Sequence, residues 1–258
     1  MQATINGTKL VFDRAGNGEP VLLIHGLGGT ANFFWPLVSA LNDKATFIAP
    51  DQPGAGRSGL AGEAGIDALA ATMLALLDTL SLGEVQVVAH SMGTIVAQHM
   101  AASAPERIER MVLLGPLAEP PAPARDALRD RAAAARRDGM AEIADAISTG
   151  ALSAATKDRH GNAQGFVREM LLRQAADGYA QNCEALAGAE RAPAAAIRCP
   201  VSLITGSDDA VAPPDSVTRL GEELPDASVT VLDGCGHWTV TEHPDAVRAL
   251  VEQFLRLN

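Results

Sequence analysis

The sequence predicts an α/β protein: a mostly parallel, eight-stranded sheet with helices on both faces and one helical insertion. Three observations predict it. Short, fully apolar, β-rich runs alternate with helix-patterned stretches along most of the chain, as expected of a parallel sheet buried on both faces. One stretch, residues 118–198, breaks that alternation and reads as helix only. The length of 258 residues, 47% hydrophobic and 20% charged, allows two small domains or one large α/β domain, and a fold of that size needs no disulfide or metal staple.

The elements follow in order. Thr4-Ile5 and Lys9 to Phe12 flank Asn6-Gly7, a strong hairpin signal. Val21 to Ile24, Thr46 to Ala49, Val85 to Ala89, Met111 to Leu114, Val201 to Thr205 and Val229 to Leu232 read as the remaining strands. Helices are predicted over Ile66 to Leu80, Gly93 to Ser103, Asp215 to Leu224 and Pro244 to Leu257. In the last of these, Val247, Leu250, Val251, Phe254 and Leu255 recur at helical spacing and are expected to face the core. There is no internal repeat. The insertion opens on Glu119-Pro120-Pro121-Ala122-Pro123, a stiff exit from the sheet, and closes near Pro193 and Pro200. It directly follows the carboxyl end of a strand, where open α/β sheets bind ligands. A single domain is therefore expected, with its core in 1–117 and 199–258 and a helical cap in 118–198.

Charge and cysteine content narrow the function classes. Twenty Lys+Arg against 31 Asp+Glu leave a formal net charge of -11. Such a surface repels phosphate backbones and anionic lipid, so neither nucleic acid nor membrane is expected as a partner. The run Arg125 to Arg137 holds five arginines, but Asp126 and Asp130 lie among them, which reads as a solvated helix face. The apolar stretch Leu69 to Leu77 is far too short for a bilayer, which takes about 20 residues. The first residues lack the basic start and apolar stretch of a secretory signal, and a cytoplasmic protein is expected. Cys183, Cys199 and Cys235 are widely spaced and odd in number, which fits reduced, buried thiols rather than a disulfide framework or zinc site. The six histidines show no metal-type spacing, so no metal is expected.

The sharpest local feature is Val87-Val88-Ala89-His90-Ser91-Met92-Gly93, an apolar strand passing through a serine into a helix. So tight a turn needs small residues two positions either side of the serine, here Ala89 and Gly93. The usual first residue is Gly, and Ala89 departs from it by one methyl. Ser91 needs a base, and His237, just after the final strand, is the candidate. Of the other histidines, His25 is expected to shape a turn, His90 to fill the variable position of the serine turn, and His99 to ride the following helix. His160 and His243 read as surface or helix-start residues. The base needs a carboxylate partner, and the loop after Val201 to Thr205 offers both Asp208 and Asp209. His25-Gly26-Leu27-Gly28-Gly29 follows another strand, and an N–H there, that of Leu27, would join the Met92 N–H in receiving an oxyanion. A phosphate loop is the rival reading of these glycines, but the Gly-Lys-Ser/Thr ending and a Gly-x-Gly-x-x-Gly fingerprint are both missing.

Together these parts resemble the α/β-hydrolase family over essentially the whole chain. The resemblance rests on His25-Gly26, Asp51-Gln52-Pro53-Gly54-Ala55-Gly56-Arg57-Ser58, the Ser91 turn, Gly206 to Asp209, and Gly236-His237. It implies the α/β-hydrolase fold and a Ser91–His237–Asp209 triad with Leu27 and Met92 as oxyanion donors. The family spacing Gly-x-x-Asp, with Pro four residues later, selects Asp209 over Asp208. It further implies cofactor-independent cleavage of a small carboxylic ester or lactone through an acyl-enzyme. Residues 178–186 and the Pro213-Pro214 loop are similar to 3-oxoadipate enol-lactonase-like and small carboxylesterase members, although Thr94 stands where many relatives carry a second Gly. His237-Trp238 also occurs in hydrolases of carbon–carbon bonds. A perhydrolase or haloperoxidase would use the same triad, and a binding-only relative would have lost part of it. Phe33, Phe34, Trp35, Tyr179 and Trp238 are candidates for the pocket wall, with ordinary core packing an equal reading for each. Oligomeric state is not legible.

Overall fold

Asn6 and Gly7, at φ +49° and +78°, reverse the chain tightly enough to pair Ile5 with Thr8. This hairpin starts the sheet of a computed structural model that describes residues 1–159 and 161–257. The strands are β1 (Gln2–Ile5), β2 (Thr8–Gly16), β3 (Glu19–Ile24), β4 (Ala45–Pro50), β5 (Val85–His90), β6 (Ile108–Leu114), β7 (Val201–Gly206) and β8 (Ala227–Leu232). Their spatial order is β1-β2-β4-β3-β5-β6-β7-β8. β2 runs antiparallel to β1 and β4, and every other neighbouring pair is parallel. All eight predicted strands are present. β2 outruns its apolar segment because Phe12 to Gly16 pair with Pro50 to Thr46, a partner far along the chain.

Helices α1 (Trp35–Leu41), α2 (Ile66–Thr79) and α3 (Met92–Ser103) alternate with the first strands. Among the described residues, five more helical segments lie between β6 and β7: α4 (Ala122–Asp138), α5 (Ala141–Gly150), α6 (Ala154–Arg159), α7 (Gly161–Leu172) and α8 (Ala176–Ala187). α9 (Pro214–Glu223), α10 (Thr239–Glu242) and α11 (Pro244–Leu255) complete the chain. α1 and α10 were not expected, being too short to display a helical period. In α11, Val247, Val251 and Leu255 are buried in the core, and Leu250 and Phe254, half-buried, pack against its edge, as the helical spacing predicts. Phe254 also lies beneath the Arg110 guanidinium at 5.8 Å. His160 falls outside the described residues. No described helix is long and apolar enough to cross a membrane.

Two features of this topology position the site. β3 lies between β4 and β5, so the chain leaves β3 toward one side and β5 toward the other, opening a crevice at their carboxyl ends. Ile24 is in register with Ala89, which sets the loops after β3 and β5 side by side. The second feature is the helical insertion, which folds back onto the loop after β4. α4 packs along α8 and α5 along α7. At Gly178 of α8 a Cβ would lie 2.1 Å from the Gly54 carbonyl oxygen, so two bare backbones meet there. Asn182 donates to Pro53 O at 3.1 Å, and Gln181 exchanges two hydrogen bonds with the Ala61 backbone. Several arginines of α4 sit in exposed pairs, Arg129 with Asp126 and Arg136 with Glu184 among them.

Candidate active site

Ser91 stands between β5 and α3 at φ +51° and ψ −122°, a conformation that costs a non-glycine residue about 1–3 kcal/mol. Hydrogen bonds on both sides hold it. Its N–H donates to Leu114 O at 2.9 Å, and its carbonyl accepts from the Thr94 N–H and hydroxyl at 2.8 and 2.6 Å. Bare backbone surrounds it. A Cβ on Gly93 would meet Ile24 O at 2.3 Å, and one on Gly26 would meet the Ser91 Cβ at 2.7 Å. Ala89 is fully buried, so its extra methyl is packed without loss of the turn.

The structure brings Ser91, His237 and Asp209 together. The Ser91 hydroxyl lies 2.9 Å from His237 Nε2, and His237 Nδ1 lies 2.8 Å from Asp209 Oδ2. Asp209 is 2% exposed, and its Oδ1 accepts the N–H groups of Val211 and Ala212 at 2.8 Å each. Burial pushes its carboxyl up, but the facing imidazole and these bonds outweigh that and leave it below the usual carboxylate range. Asp208 points outward, hydrogen-bonded to Ser207. Because Asp209 accepts at Nδ1, Nδ1 carries the proton and Nε2 is left to receive one from Ser91.

The loop after β3, His25 to Gly29, is held by contacts on both sides. Gly28, at φ +74°, lets it turn, and Gly29 N–H closes onto Gly26 O at 3.0 Å. His25 accepts the Gln52 N–H at Nε2 and faces Gly26 O through Nδ1 at 2.8 Å, so its role is to shape the turn. Asp51 supports the loop from below by accepting the Ala31 N–H at 2.8 Å and Arg57 Nε at 2.7 Å. Gln174 reaches the loop from α7's end, with Nε2 on Gly28 O at 3.2 Å. Among the described residues, no protein acceptor takes the N–H of Leu27 or of Met92.

The candidates for the pocket wall fall into different surroundings. Phe33-Phe34-Trp35 opens as a 3₁₀ turn, whose successive side chains fan out in different directions. Phe33 and Phe34 are fully buried in the core, while Trp35 is 60% exposed and lines an outer groove of about 360 Å³ with Phe166 and Val240. Trp238 is 2% exposed and packs with Phe33 against His90, at centroid distances of 5.3 and 4.4 Å. Both rings thus pack on His90, the neighbour of Ser91 in sequence. Tyr179 reaches the loop after β3: a Cβ on Gly28 would lie 3.2 Å from its ring and 2.3 Å from Leu171.

Sequence reasoning missed several residues that the geometry singles out. His90 is fully buried beside His237, with Nε2 2.9 Å from the His237 carbonyl oxygen. Burial, and secondly the neighbouring His237, push it down to about 3, so it is neutral and donates from Nε2. Glu242 accepts three backbone N–H groups around His237, and its only sequence signal is its position five residues after the histidine. Gly115, after β6, lies at φ +54°, and a Cβ there would be 2.9 Å from His237 Nδ1 and 3.3 Å from Asp209 Oδ2. Gly115→Ala should displace the imidazole and lower kcat about 100-fold, since misplacements near 1 Å cost that much. Steady-state kinetics showing wild-type kcat would mean that the ring has slack.

This sheet, with its serine on the turn into α3, has the architecture of an α/β hydrolase. The alpha/beta hydrolase fold family matches residues 19–244, and the chain belongs to that family. An enol-lactonase from Burkholderia xenovorans LB400 is 29% identical, with TM-score 0.93 over 99% of this chain and 100% of that one. A thermophilic esterase from Thermogutta terrifontis is 26% identical, with TM-score 0.93 over 99% of this chain and 97% of the other. A 2-hydroxy-6-oxononadienedioate/2-hydroxy-6-oxononatrienedioate hydrolase from Burkholderia vietnamiensis is 30% identical over 97% of this chain and 93% of its own length. The chain is a hydrolase of the α/β-hydrolase type.

Proposed function

We propose that the protein cleaves a small carboxylic ester or lactone with Ser91 as nucleophile. The observation that carries this reading is the unbroken line from Asp209 through His237 to Ser91, at 2.8 and 2.9 Å. Ser91 attacks the carbonyl carbon as His237 Nε2 takes its proton. The N–H groups of Leu27 and Met92 receive the oxyanion, and Asp209 stabilises the imidazolium. His237 returns the proton to the leaving alcohol, leaving an acyl-enzyme. Water, deprotonated by His237, then releases the acid and restores Ser91. No cofactor enters the cycle as written.

The helices within 118–198 act in this reading as a cap that sets specificity, because Tyr179 and Leu171 press on the oxyanion loop. The three buried free thiols fit a reducing compartment, and we place the protein in the cytoplasm.

A fluorophosphonate probe should label Ser91, and a screen of short and long esters, lactones, enol-lactones and ring-fission dienoates should give ester or lactone turnover. Labelling at another serine would refute the mechanism. Turnover of dienoates alone would transfer the reading to carbon–carbon bonds, the chemistry named for the Burkholderia vietnamiensis relative. Tyr179→Leu should change the ratio of rates among acyl groups more than it changes Tm; an unaltered ratio would remove the cap's role in selection.

A further inference from the structure

Glu242, at the end of α10, is a carboxylate only 6% exposed that the chemistry above leaves unused. Its Oε2 accepts the N–H of Ser153 at 2.9 Å and of Gly236 at 3.0 Å, and its Oε1 accepts the N–H of Trp238 at 3.1 Å. Gly236 and Trp238 flank His237. Ser153 belongs to the cap, in the turn between α5 and α6. At the same junction the N–H of His237 itself donates to Ala151 O at 2.9 Å. The backbone of the base is thus tied to the cap twice, once directly and once through Glu242.

The chemistry of the tie suits a carboxylate. It only accepts, offers two oxygens to several donors, and makes stronger bonds than a neutral acceptor. The approach also needs a bare chain at position 236. A Cβ on Gly236 would lie 2.6 Å from Ser153 N, 2.8 Å from Glu242 Oε1 and 3.0 Å from Ala151 O. Nothing larger than glycine fits between the histidine loop and the cap.

We propose that Glu242 is a positioning residue that locks the histidine loop to the 151–153 turn of the cap, so that His237 is held in line with Ser91 only while the cap is seated. The inference rests on the reading of His237 as the base. It makes the cap part of the catalytic alignment as well as a cover over the substrate.

Two variants of the full chain attack the lock from different sides. Glu242→Gln leaves one carbonyl oxygen for three N–H groups and turns an amide N–H₂ toward one of them. Gly236→Ala keeps the carboxylate and inserts a methyl between the two segments. Both should lower kcat on the best ester by about 10- to 100-fold with KM little changed, the signature of a displaced base rather than a lost pocket. Hydrogen exchange read by mass spectrometry should rise together in peptides 145–159 and 232–242, while 85–103 stays protected. Wild-type kcat in either folded variant, or faster exchange in the histidine loop with the cap peptide unchanged, would overturn the lock. The wild-type chain supplies an independent measurement: in graded urea the two peptides should open with one free energy and one slope, and separate openings reject the proposal. Absence of fluorophosphonate labelling at wild-type Ser91 would instead count against the proposed mechanism, because the exchange measurement does not depend on it.

Discussion

Ser91→Ala should lower ester turnover by about 10⁶, the scale on which a serine hydrolase loses rate when its nucleophile is removed. The residual rate should still exceed that of water by about 10³–10⁴, because the Leu27 and Met92 N–H groups and the binding surface remain. The fold should be unaffected. The strained φ of +51° is held by the bonds from Leu114 and Thr94 to the backbone, none of which involves the hydroxyl. Steady-state kinetics beside a thermal melt check both halves. A variant that melts like the wild type and still turns over ester within tenfold would require another nucleophile.

Asp209→Asn should cost on the order of 10⁴ in kcat, and Asp208→Asn far less. An amide at 209 can turn its N–H₂ toward His237 Nδ1, so the ring is driven to carry its proton on Nε2, where Ser91 needs an acceptor. The geometry makes that flip the favoured one for the wrong reason. Asp209 Oδ1 already accepts two N–H groups, so the carbonyl oxygen of an asparagine is drawn there and its N–H₂ toward the imidazole. Asp208 takes part in neither contact and is exposed. Kinetics of the two single variants on one ester decide the matter. A large loss in Asp208→Asn with a small one in Asp209→Asn reverses the assignment.

The parts of this molecule that were legible in its sequence are those set by local geometry. The Ser91 turn demands small residues at fixed offsets, the Asn6-Gly7 hairpin demands positive φ, and each strand announces itself by an apolar run. The illegible parts depend on what lies opposite. Trp35 and Phe33 are two residues apart in one short turn, yet one faces solvent and the other the core, because the turn's direction is set by packing against β3 and β4. Trp238 follows His237 in sequence, and its place against Phe33 and His90 is set by residues distant along the chain. Glu242 and Gly115 acquire their meaning only when residues 153 and 237 arrive beside them, across separations that no local pattern records. The Gly54–Gly178 contact has the same character: each glycine alone reads as a flexible point, and together they are a place of closest approach.

The sealed imidazoles of His25 and His90 link this architecture to proton uptake. Burial lowers His25 below its ordinary 6.5 and, with the nearby His237, takes His90 to about 3. The unfolded chain would bind protons at both rings near pH 6.5, more readily than the native chain does. Unfolding therefore takes up protons in that interval, and stability must fall as the medium is acidified from about pH 6.5 toward 3. His90→Gln, which keeps an amide donor toward the His237 carbonyl, should flatten that decline in a series of melts across the same interval. Acid would then act on the scaffold of this hydrolase, and the melting curve of a Ser91→Ala chain should record it as fully as that of the wild type.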